Sequence, residues 1–137
     1  MISKTEIIII IICVIILATY SFTGIFCFPS GDDFDYACLG RSKTNFIDVV
    51  LNERKRWNGR YISNFLVIGS PLNLGGISLY KLMPTILILC ICIGSFIFFK
   101  LVINVKTLLI SLVSTTIIFS IMPDITEGIY WYTGAIT

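Results

Sequence analysis

The chain has no histidine. That removes the side chain most often used as a general base near neutral pH, and the commonest metal ligand. Charge is scarce as well. Asp, Glu, Lys and Arg make up 13% of the 137 residues, against about a quarter in ordinary globular chains. No glycine-rich loop of the phosphate-cradling kind occurs, and Gly75-Gly76 is too little to hold a mononucleotide. The five cysteines, Cys13, Cys27, Cys38, Cys90 and Cys92, show no zinc-site spacing. Cys13, Cys90 and Cys92 lie in apolar runs, where a thiol acts as a small hydrophobe. Only Cys27 and Cys38 flank a polar stretch, so a disulfide is conceivable there and nowhere else.

Apolar residues dominate instead, at 56% of the chain with a mean hydropathy of +0.94. The expected class is an all-α integral membrane protein. Ile7 to Phe28 is an unbroken apolar run of 22 residues, about 33 Å long as a helix and enough to cross a bilayer. It is too long for a signal-peptide core, and no small-x-small cleavage site precedes Ser30. Pro29-Ser30-Gly31 ends it. Leu82 to Phe99 and Thr107 to Met122 read as a second and a third span, joined by a tight turn over Lys100 to Lys106. Between the first two spans, residues 29–81 form one long polar loop. Asn45 predicts a helix N-cap there, with Asp48 three residues on. The sequence from Phe46 onward is apolar first and basic later, as in a helix lying on a membrane surface or an amphipathic helix packed on protein. Ile62 to Ile68 reads as a second short interfacial helix, followed by a loop around Gly69, Pro71, Gly75 and Gly76.

Charge is concentrated in that loop. Five acids and seven bases lie between Pro29 and Lys81, with three of each elsewhere. Counting only bases close to span ends leaves Arg41, Lys43 and Lys81 on one side against Lys4, Lys100 and Lys106 on the other. Charge alone therefore does not orient the chain.

Three polar pieces mark the span ends: Gly31-Asp32-Asp33-Phe34-Asp35-Tyr36-Ala37, Trp57-Asn58-Gly59-Arg60-Tyr61, and Glu127-Gly128-Ile129-Tyr130-Trp131-Tyr132-Thr133-Gly134. In this order, one span, an acidic pair, Trp-x-Gly-Arg, two spans and Glu-x-x-Tyr-Trp resemble the N-terminal part of GT-C-type polytopic membrane glycosyltransferases. The likeness is narrowest to the bacterial branch of O-antigen glucosyltransferase-like proteins. The resemblance implies an N-terminus in the cytoplasm, an extracytoplasmic first loop and a cell-envelope polysaccharide role. A lipid-linked phosphate sugar would be the donor, a glycan or lipid the acceptor, and membrane lipid the surroundings. It implies no further cofactor and no role for nucleic acid, and leaves metal dependence open. Such enzymes carry many more spans, so the chain is expected to be a portion or a short form of one.

Sugar transfer needs a base for the acceptor hydroxyl and donors or cations for the departing phosphate. Asp32 and Asp33 are the candidate catalytic carboxylates, since adjacent acids oppose each other's ionisation; their alternative role is to cap the following helix. For Asp35 capping is the preferred reading. Arg60 has the fork that grips phosphate at two points, or else it snorkels to lipid headgroups. Tyr36, Glu127 and Trp131 complete the candidate substrate-binding set, with Trp131 as a stacking platform or as part of an interfacial aromatic belt. No metal ligands are assigned. Two rival functions remain: a non-enzymatic small membrane protein that binds lipid headgroups or a partner, and a fragment of a transporter or flippase.

Overall fold

The computed structural model describes residues 3–42, 44–58 and 60–137, and every regular element among them is helical. Helix α1 spans Lys4–Thr23 and runs on through a short 3-10 turn, Gly24–Phe26. Its start is a capping box: Ser3 Oγ accepts from the Glu6 amide while Glu6 accepts from the Ser3 amide. Helix α2 spans Asp32–Gly40, α3 Phe46–Glu53, α4 Ile62–Ile68 and α5 Pro71–Leu74. A π turn, Arg54–Asn58, extends α3. Helix α6 spans Gly76–Val102, α7 Thr107–Ile121 and α8 Tyr132–Ile136, with a second π turn over Thr126–Tyr130.

Two expected details agree closely with the structure. Asn45 caps α3 by accepting from the Ile47 amide, and α4 has the expected bounds. Another differs. The second long helix begins at Gly76, six residues ahead of the expected Leu82. The Gly75-Gly76 pair is not a helix-breaking loop but the boundary itself: Gly76 takes φ +64, a left-handed conformation that glycine adopts without strain. Cys27 and Cys38 are free thiols.

Helices α1, α6 and α7 pack side by side. Leu17, Ile88 and Phe119 meet in their core, joined by Ile129 from the chain beyond α7. Where α1 ends, Gly24 lies against Pro84, and a Cβ on Gly24 would fall 2.9 Å from the Pro84 Cβ. Thr85 donates to the Ser21 carbonyl nearby. Thr115 donates to Ser95 across α6 and α7, a polar clasp of the kind that holds helices together where burial supplies little drive.

Two helices are long and apolar enough to cross a membrane, residues 4–26 and 76–102. Only 17% and 11% of their most apolar windows are buried inside the protein. Ile8, Ile11, Ile15 and Phe22 on α1, and Leu89, Ile93 and Ile97 on α6, are exposed. Three spans were expected. The third apolar helix, α7, has 15 residues, about 22 Å against a hydrocarbon core of about 30 Å.

The three long helices sort the polar groups by end. At one end Lys106 pairs with Glu6, beside an α6–α7 turn in which Asn104 and Lys106 take positive φ. At the other end lie α2 to α5 and α8, around a second core of Val50, Val67, Ile68, Tyr80 and Tyr132.

Candidate functional site

The acidic stretch begins α2. Gly31 takes φ +49 as its N-cap, and Asp32, Asp33 and Asp35 fill the first turn, where carboxylates complement the exposed amides and the helix dipole. Helical spacing then sends the two neighbours different ways. Asp32 is exposed, whereas Asp33 is only 2% exposed.

Asp33 is the hub of the polar end. Its Oδ1 accepts from the Thr133 amide at 3.0 Å and the Thr133 hydroxyl at 2.6 Å. Its Oδ2 accepts from the Tyr80 hydroxyl at 2.7 Å and the Ser30 amide at 3.1 Å. One carboxylate thus ties α2 to α6 and α8, and four donors replace the water it loses on burial. The structure removes Asp33, a candidate base by sequence beside Asp32, from that role. Buried, with both oxygens engaged, Asp33 is closed to an acceptor arriving from water.

Close packing surrounds this hub. The Tyr80 hydroxyl also accepts from the Tyr132 amide, at 3.4 Å, and the Tyr132 hydroxyl donates to the Leu66 carbonyl at 3.0 Å. Burial first, and the nearby Asp33 carboxylate second, push the Tyr132 phenol upward. Arg41 donates to Asn73, which in turn donates to the Ala37 carbonyl, fastening α2 to α5. Gly40 lets α2 lie directly on the end of α4, because a Cβ there would fall 2.2 Å from the Ile68 carbonyl oxygen.

On the open side of α2, the structure gathers Asp32, Asp35, Tyr36 and Glu53. The Tyr36 phenol is pushed upward by burial, then by the negative charges of Glu53 and Asp32, while the Arg60 cation opposes them. Two clefts adjoin there. One, about 190 Å³, is lined by Asp32, Asp35, Tyr36, Leu39 and Glu53. The other, about 570 Å³, is lined by Asp35, Cys38, Leu39, Ser42, Glu53 and Arg56. Arg60 Nη1 donates to the Thr137 carbonyl. Of its motif, Gly59 and the Trp57 and Asn58 side chains lie outside the described residues, as does Lys43.

Glu127 and Trp131 stand apart from that cleft. Glu127 is exposed on the π turn, its amide held by Asp124 Oδ1. The half-buried Trp131 ring packs on Gly134, where a Cβ would come within 2.6 Å of it, and its indole N–H has no hydrogen-bond partner. Their connection to α2 is indirect, through Thr133 and Asp33.

Sequence reading missed Tyr80, Glu53 and Asn73. Tyr80 lies 47 positions from Asp33 in an apolar stretch, and nothing local marks it as a partner. Thr133 was present in the Glu-x-x-Tyr-Trp-Tyr-Thr-Gly stretch without a role.

Comparison of the chain with protein-family models, curated proteins and solved structures returns no match.

Proposed function

We propose that α1, α6 and α7 all cross a membrane, with α2 to α5 and α8 at its extracytoplasmic rim, and that this rim carries a site of the GT-C glycosyltransferase kind. The N-terminus is then cytoplasmic. The transfer is of sugar from a lipid-linked phosphate to an extracytoplasmic glycan or lipid hydroxyl. The observation that carries this reading is an exposed acid, Asp32, lining a polar cleft with Asp35, Tyr36 and Glu53 at the end of the apolar helices, with the Arg60 charge felt by the Tyr36 phenol.

In this scheme Asp32 takes the proton of the acceptor hydroxyl. The acceptor oxygen bonds to the anomeric carbon, and the C–O bond to the lipid phosphate breaks with its electron pair leaving on phosphate. Arg60 neutralises that charge by a two-point grip. Glu127 and Trp131, which stand apart from the cleft, take no part in this scheme. Asp33 holds the frame and takes no proton from the acceptor.

A photoreactive polyprenyl phosphate glucose, offered to the chain in lipid nanodiscs, tests the donor half. Labelling should fall near Tyr36 and Arg60 and be competed by unlabelled donor but not by glucose. Arg60→Lys should weaken it about tenfold, since an ammonium cannot reproduce the two-point contact. Equal labelling by a polyprenol lacking phosphate, indifferent to Arg60, would sink the reading.

A further inference from the structure

A second groove, apolar and separate from the acidic cleft, runs along α4. Its upper part, about 360 Å³, lies between Ile47, Val50 and Leu51 of α3 and Tyr61, Ile62, Phe65 and Leu66 at α4. Phe65 and Leu66 also line a lower part of about 470 Å³, which reaches Leu79 and Met83 on α6. The two parts adjoin at Phe65 and Leu66, and together they reach from the polar end to the apolar surface of a membrane-length helix. Tyr132 lines the lower part, and its hydroxyl is occupied by the Leu66 carbonyl.

The upper end of the track is cationic. Arg54 follows Ile47, Val50 and Leu51 on the same face of α3, at the three- and four-residue spacing of helix neighbours. Its guanidinium carbon stands 3.8 Å above the centroid of the Tyr61 ring that lines the groove, a cation–π contact that holds the guanidinium plane at the rim. Lys55 and Arg56 follow directly, both exposed. A hydrocarbon groove capped by a fixed guanidinium has the complement of one molecule class: a lipid with an anionic phosphate and net negative charge.

We infer that the α3–α4 groove is a seat for one anionic glycerophospholipid, with an acyl chain along Phe65, Leu66, Leu79 and Met83 and its phosphate on Arg54. The lipid closes an apolar channel that the chain leaves open, and fixes α3 and α4 at the membrane rim. This seat is distinct from the Asp32 cleft, so it stands whether or not that cleft transfers sugar.

Native mass spectrometry of the detergent-solubilised chain, incubated with phosphatidylglycerol or phosphatidylcholine, tests it. One phosphatidylglycerol should be retained in preference to phosphatidylcholine. Arg54→Gln should reduce that retention about tenfold, the loss of one charge-assisted contact, and reduce phosphatidylcholine retention less, because the choline cation offsets its phosphate. Phe65→Ser should weaken both lipids, and Lys55→Gln neither. Far-UV circular dichroism matching the parent would show that each variant is folded. Equal retention of the two lipids, or phosphatidylglycerol binding indifferent to Arg54 and Phe65 in folded variants, would overturn the assignment. Preferential retention of polyprenyl phosphate over phosphatidylglycerol, lost in Arg54→Gln, would overturn it too, by assigning the groove to the sugar donor.

Discussion

Two adjacent aspartates divide the work of the acidic stretch. Asp33 has four donors and is buried, and Asp32 is open. Asp33→Asn leaves one acceptor oxygen for these four donors and turns an amide N–H₂ toward two of them. Hydrogen bonds to a charged group are worth about 1.5–3 kcal/mol each and a buried unsatisfied donor costs a further 1–3, so a loss of roughly 3 kcal/mol or more is expected. Asp32→Asn, on an exposed position, should stay within about 0.5 kcal/mol of the parent. Chemical denaturation in mild detergent measures both. Equal stability of the two variants would remove Asp33 from its structural role. Tyr132 gives a pH counterpart. Its phenol is raised in the folded state by burial and by Asp33. The stability this provides is complete below the unfolded phenol value of about 10, and is lost as pH rises toward the folded value. Tyr132→Phe forfeits the bond to the Leu66 carbonyl, about 1 kcal/mol at neutral pH. In exchange, its melting temperature should fall less between pH 9 and 11 than that of the parent. A parallel fall in both proteins would show that Tyr132 is not the group concerned.

At the level of elements, close approaches at glycine set how helices meet. Gly24 admits Pro84, and Gly40 admits the Ile68 carbonyl. Gly40→Ala drives a Cβ into backbone that cannot swing aside, so α2 must shift off α4 at about 1–3 kcal/mol. Faster limited proteolysis between Arg41 and Asn45 would report it, and an unchanged cleavage rate would deny the contact. What could be read from sequence follows the range of each interaction. The α3 cap at Asn45 and the bounds of α4 depend on neighbours a few residues apart, and both were legible. The start of α6 was not, because a glycine pair reads as a break until the backbone shows Gly76 turning into a helix at positive φ. The role of Asp33 was hidden for a different reason. Its partners Tyr80 and Thr133 lie 47 and 100 positions away, and only the packing of α1, α6 and α7 brings them to it.

For the whole molecule, the chain has two ends of different character joined by apolar helices whose outer faces are uncovered. The Glu6–Lys106 pair marks one end, and the acidic cleft, the Asp33 hub and the α4 groove share the other. A membrane around α1, α6 and α7 would satisfy those faces and hold the polar groups at its surface. The central claim is that this polar end lies outside the cytoplasm. The most direct test places single cysteines in a version lacking the five native ones, at Ser42 and Leu74 on the polar end and at Val105 on the other, all exposed positions. In intact cells an impermeant thiol reagent should label Ser42→Cys and Leu74→Cys and spare Val105→Cys until the cells are opened. Labelling of Val105→Cys alone would contradict the orientation, and labelling of all three in intact cells would contradict the membrane crossing itself.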